Sequence, residues 1–96
     1  MARVYLSGPM SGIPNLNFDE FDKARDMFLS LGHWVVSPAD LERSRGLLPY
    51  EQTLKDDLKY LLWCDTIYLL KGWQRSFGAK LEYHVAHALG YTELFE

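Results

Sequence analysis

The run Thr66-Ile-Tyr-Leu-Leu70 passes into Lys71-Gly-Trp-Gln-Arg-Ser76 and then into helix formers that carry a carboxylate, Glu82, near their start. A short apolar run without alternation suits a strand buried on both faces, and such strands belong to parallel sheets covered by helices on each side. The polar turn behind the strand then falls at the carboxyl edge of the sheet, where open α/β sheets bind ligands. Glu82 is therefore the first candidate functional residue.

The remaining elements fit the same plan. Arg3-Val-Tyr-Leu-Ser7 reads as a first strand that runs straight into Gly8-Pro-Met-Ser-Gly-Ile-Pro14. Glycines and small hydroxyl residues at that point let backbone N–H groups approach an anion or a sugar, although a plain strand-to-helix turn reads equally well. The turn is neither a P-loop nor a dinucleotide fingerprint. Asn17 with Glu20 has the form of a capping box, and Phe18, Phe21, Ala24, Phe28 and Leu31 recur at helical spacing, which predicts a helix over 18–31. Trp34-Val-Val36 is a second strand, ending at Ser37-Pro38.

Residues 39–49 show no clear periodicity and read as an irregular loop, either a lid or a mobile connection. A second helix begins at Tyr50, with Pro49 suited to its first position and Leu54, Leu58, Leu61 and Leu62 as its buried face. Asp56 and Asp57 lie in its middle. Pattern alone reads both as solvated surface, with Asp57 the nearer to the buried face. Asp65, at the entrance of the third strand, suits a structural cap or bend. Ser76 is placed to cap a helix that starts near Phe77 and Gly78 and closes at Gly90, and Tyr91 to Phe95 supply a last strand. A helix N-terminus with a serine hydroxyl and Arg75 beside it can seat a phosphate. His84 and His87 share one side of that helix without further ligands, so no metal is expected.

The order β, α, β, loop and α, β, α, β predicts one α/β domain over 1–96. The expected architecture is a small flavodoxin-like three-layer sandwich, with a parallel four-stranded sheet in the order 2-1-3-4. A formal charge of −3 without a basic run excludes a duplex nucleic-acid footprint. Cys64 is the only cysteine, lies beside Leu62 and Trp63, and reads as a core thiol in a cytoplasmic protein. Neither a signal peptide nor a membrane span is visible. With 48% apolar and 15% aromatic residues in so small a domain, an aromatic face is expected to be covered by a second copy, giving a homodimer or larger homo-oligomer.

Tyr5-Leu-Ser-Gly-Pro-Met10, Asp57-Leu58, Cys64-Asp65 and Ser76-Phe-Gly-Ala-Lys-Leu-Glu82 occur in the order seen in the nucleoside 2-deoxyribosyltransferase superfamily. The chain resembles most closely the small phage and bacterial members of that superfamily without an assigned activity, and it is also similar to the 2′-deoxynucleoside 5′-monophosphate N-glycosidases. The resemblance implies that Glu82 attacks C1′ of a deoxyribose, that Asp57 protonates or binds the departing base, and that Tyr5 orients the nucleophile. It implies a small-molecule nucleoside or nucleotide as partner and no cofactor. Six residues before the nucleophile, superfamily members that use free nucleosides carry an aspartate and those that use monophosphates a serine. Ser76 therefore points to a 5′-monophosphate.

The expected substrate-binding residues are Ser7, Gly8, Pro9 and Met10 in the first turn, and Trp73, Arg75, Ser76 and Gly78 in the second. Two features depart from the superfamily: the sequence stops soon after its fourth strand, and the Gly8 turn lacks the arginine of the monophosphate glycosidases. Completion of the site by Trp73 or by the 39–49 loop, or a site that no longer turns over, would follow. Two alternatives to the enzyme are a catalytically inert nucleotide-binding module and a small interaction protein that works through an aromatic surface.

Overall fold

A computed structural model describes all 96 residues, Met1–Glu96. The strands are β1 (Arg3–Ser7), β2 (Trp34–Val36), β3 (Thr66–Leu69) and β4 (Thr92–Phe95). The helices are α1 (Phe18–Ser30), α2 (Pro38–Arg45), α3 (Tyr50–Trp63) and α4 (Phe77–Ala88), with 3-10 turns at Pro14–Asn17 and Trp73–Arg75. All strand pairs are parallel, and the order is β2-β1-β3-β4, as the sequence predicts. Val4 pairs with Val35 and Thr66, and Ser7 with Leu69, so the ends of β1 and β3 lie side by side at the carboxyl edge.

Strand parity sorts the core into two layers, because successive side chains point to opposite faces. Val4, Leu6 and Leu70 pack with Phe21, Ala24 and Phe28 of α1 and Ala39 of α2. Tyr5, Ile67 and Leu69 pack with Leu61 of α3, Ala86 of α4 and Cys64. Burial pushes the Cys64 thiol up to about 12, which keeps it an inert core group. Ser7 shares the parity of Tyr5 and so faces α4. Gly8 is required by close packing: a Cβ there would stand 2.7 Å from that of Leu70.

Four expectations are corrected. Residues 39–49 are mostly helix: α2 covers Pro38–Arg45, and only 46–49 form a loop. Pro38 at its first turn and Gly46 at its end are the start and stop signals that mark it. Its buried residues are only Pro38 and Ala39, so it carries no apolar periodicity to read. Asn17 does not cap α1; it adopts a left-handed conformation and its Nδ2 donates to the Pro9 carbonyl instead, tethering the first turn. Pro49 precedes α3 rather than opening it. Leu62 is 60% exposed, because the buried stripe of α3 runs Leu54, Asp57, Leu58 and Leu61. No helix is long and apolar enough to cross a membrane.

Candidate active site

The carboxyl edge of the sheet opens into a cleft of about 670 Å³, within the range of small-molecule sites. Its walls are the turn after β1, the start and middle of α2, the loop 46–49, α3, and the turn that joins β3 to α4. Glu82 lies on its floor. The buried stripe of α4 is Ala79, Glu82 and Ala86, two small residues around one acid, which lets the helix sit close to the sheet.

Glu82 is held from beneath by β1. The Tyr5 hydroxyl donates to Oε2 at 2.7 Å and the Ser7 hydroxyl to Oε1 at 2.6 Å. Residues two apart on a strand share a face, so one strand supplies both donors. Burial pushes the Glu82 carboxyl up to about 7; the Ser7 and Tyr5 hydrogen bonds oppose that rise and the charge of Asp57 adds to it. The Tyr5 phenol is driven well above its ordinary range by burial and then by Glu82, so it stays protonated and donates.

Asp57 is the second acid of the cleft. It is buried in the apolar stripe of α3, which corrects the solvated-surface reading of its pattern. Burial pushes its carboxyl up to about 6, against the pull of Arg45 and with the charges of Glu42 and Asp56 adding. Arg45 Nη2 donates to Asp57 Oδ1 at 2.9 Å. Two buried carboxyl groups with pKa values close to neutrality, one of them fixed by two hydroxyls, form a pair able to hold one proton and one negative charge near pH 7.

The structure brings Gly8, Pro9, Met10, Arg75, Ser76 and Gly78 to the cleft together with Asp57 and Glu82. Ser76 caps α4 as the sequence predicts, its Oγ accepting from Ala79 N at 3.2 Å. Tyr5 and Ser7 stand behind Glu82 and do not line the cleft. Trp73 is placed elsewhere: the turn Trp73–Arg75 directs its ring onto Tyr83 at 4.9 Å and Phe95 at 6.1 Å. Lys71, Glu42 and Leu48 also line the cleft wall, beyond the residues expected from the sequence. Lys71 was visible as a cation four residues before Arg75. Glu42 was hidden because its helix was not recognised. No group of three or more His, Cys, Asp or Glu side chains comes together to hold a metal; His87 pairs with Glu93 instead, at 2.6 Å.

The fold is that of a known class. A solved structure described as the 2-deoxyribosyltransferase of the psychrotolerant bacterium Bacillus psychrosaccharolyticus superposes with a TM-score of 0.75 at 23% identity, covering 98% of this chain and 71% of that one. The chain thus has the nucleoside 2-deoxyribosyltransferase fold. The family profile "Domain of unknown function (DUF4406)" matches residues 2–94, and the chain belongs to that family. No curated protein matches the sequence.

Proposed function

We propose that the protein cleaves the N-glycosidic bond of a 2′-deoxynucleoside, by hydrolysis or by transfer of the deoxyribosyl group. The observation that carries this reading is the buried Glu82 carboxylate, aimed into the cleft and held by the Tyr5 and Ser7 hydroxyls. A Glu82 oxygen attacks C1′ as the C1′–N bond breaks. The bonding pair leaves on the base nitrogen, which takes the proton of Asp57. Water or a second base then attacks C1′, gives its proton to the Asp57 carboxylate and releases Glu82 as the carboxylate. The enzyme must carry one negative charge and one proton on the pair. Glu82 holds a proton more tightly than Asp57, so the productive form, with Glu82 ionised and Asp57 protonated, is the minor of the two singly protonated forms, and kcat/KM is expected to peak between about 6 and 7.

A 5′-monophosphate is the favoured substrate. Lys71, Arg75, the Ser76 hydroxyl and the N-terminus of α4 line the rim of the cleft, across from its acidic floor, and suit an anionic group. Self-association is part of the same reading, since Leu89, Leu94 and Phe95 are exposed at the β4 side.

The deciding experiment is base release, followed by chromatography, from a panel of 2′-deoxynucleoside 5′-monophosphates and the matching nucleosides, with Glu82→Gln as control. Release that vanishes in the variant supports the reading. No release from any substrate, with a nucleotide still raising Tm, replaces it with an inert nucleotide-binding module.

A further inference from the structure

Asp57 is surrounded by groups that are acidic or able to become so: Asp56 on its own helix, Glu42 on α2, Glu82 on α4 and the Tyr5 phenol on β1. Arg45, in the last turn of α2, is the cation that reaches them. Its Nη2 donates to Asp57 and its Nη1 to Asp56 Oδ2, while Glu42 Oε1, on its own helix, is left 3.7 Å away. We propose that Arg45 is a positioning residue for Asp57, holding that carboxyl in place in the cleft wall and preserving its ability to ionise there.

Three observations carry this. First, the guanidinium makes its hydrogen bonds to α3 and only a longer ion pair, at 3.7 Å, with Glu42 on its own helix. A cation serving only α2 would close on Glu42 one turn back, yet Glu42 Oε2 and Arg45 Nε are both buried without a partner. Second, the helix that presents Arg45 is itself anchored. Arg43 donates to Asp22 of α1 at 2.7 and 2.8 Å and lies 4.6 Å over the Phe18 ring, and Arg25 of α1 donates to Asp40 at 2.6 Å. The last turn of α2 is thereby fixed against α1, and Arg45 bridges from it to α3. Third, the pair is shielded from water, with side chains 15% and 10% exposed, so its interaction is screened little. Removing the cation would leave Asp57 buried among like charges, the costly half of a broken ion pair.

The positioning stands on geometry, whereas its consequence for turnover rests on the proposed role of Asp57 as the acid that protonates the base. The test therefore has a readout that needs no activity: a carboxyl-carbon NMR titration of Asp57 in the full chain, with the signal assigned by Asp57→Asn. Arg45→Gln is expected to raise the Asp57 midpoint by about one pH unit or more, since it removes the opposing charge. Arg45→Lys keeps a charge without the two-pronged grip. Its midpoint should stay within about half a unit of the native one while kcat of base release falls more than KM changes. Asp56→Asn frees Arg45 from its second carboxylate and should lower the midpoint.

An unmoved midpoint in a folded Arg45→Gln overturns the proposal. If that variant does not fold, an unmoved midpoint in Asp56→Asn does so instead. Midpoints that move as expected in a protein that releases no base uphold the positioning and refute only the proposed function.

Discussion

Asp65 and Glu82 lie at opposite ends of the central strand pair, and each carboxyl accepts two hydrogen bonds, the longer pair at Asp65. Asp65 Oδ1 takes Arg3 N at 3.2 Å and the Thr66 hydroxyl at 2.8 Å, while Glu82 takes the hydroxyls of Tyr5 and Ser7. Their proton affinities nevertheless move in opposite directions. The Thr66 hydrogen bond, with that of Arg3 N and the nearby guanidinium, holds Asp65 below the usual carboxylate range, whereas burial lifts Glu82 to about 7. The Asp65 side chain is 52% exposed and Glu82 is 5% exposed. Access of water, more than the number of donors, separates an acid that stays charged from one poised to change its charge.

The contrast is broken most directly at Glu82. Glu82→Gln keeps the volume and an acceptor for one hydroxyl but has no nucleophilic oxygen, so base release is expected to fall at least about a thousandfold. An unaffected rate in a chromatographic assay would place the chemistry elsewhere. Tyr5→Phe is the next largest change. It removes one of the two donors that favour the ionised carboxylate, so the upper limb of the pH–rate profile, which Glu82 sets, should move to higher pH, and the rate at pH 7 should fall about 10- to 100-fold as the proton is held more tightly on Glu82. Ser76→Asp follows. Aspartate caps a helix as well as serine does, so α4 should survive, while the added charge should cut the preference for monophosphate over nucleoside by about tenfold or more.

Much of this end of the molecule was legible beforehand. Strand parity puts Tyr5 and Ser7 on one face, and the spacing of α4 puts Glu82 between Ala79 and Ala86, so the sheet order, the edge and the position of Glu82 follow from local pattern. What local pattern misses is set by contacts distant in sequence. The partner of buried Asp57, Arg45, arrives on α2, a helix with hardly any apolar stripe. Trp73 adjoins the site in sequence, yet its ring goes to Tyr83 and to Phe95 twenty-odd residues later, so adjacency misplaces it. The irregular loop expected over 39–49 shrinks to 46–49 once Pro38 and Gly46 are read as helix signals.

Stability offers a sharper form of the comparison. The folded pKa of Glu82 is raised, so between about 4.5 and 7 the native state binds more protons than the unfolded chain, and stability falls as pH rises through that window. At 1.36 kcal/mol per unit, the loss attributable to Glu82 is about 3 kcal/mol. Native protein should therefore lose Tm from pH 4.5 to 7, and Glu82→Gln should lose much less. Parallel slopes for the two proteins would mean that water reaches Glu82.

The smallest effect is expected at the amino end. Asp65→Asn leaves an oxygen to accept from Arg3 N and Thr66 and removes only a charge that faces Arg3 across 4.0 Å in a half-exposed setting. The lowered pKa of Asp65 contributes stability above its unfolded value of 3.8 and loses it as pH falls through the folded one, so the two proteins should converge in acid. At neutral pH the cost should be no more than about 1 kcal/mol, because water and salt screen an exposed pair. Base release should remain within about twofold of the native rate, since Asp65 lies on the edge of the sheet away from the cleft. A loss approaching that of Glu82→Gln would show that the two ends of β3 act together, and that exposure is not what distinguishes the two acids.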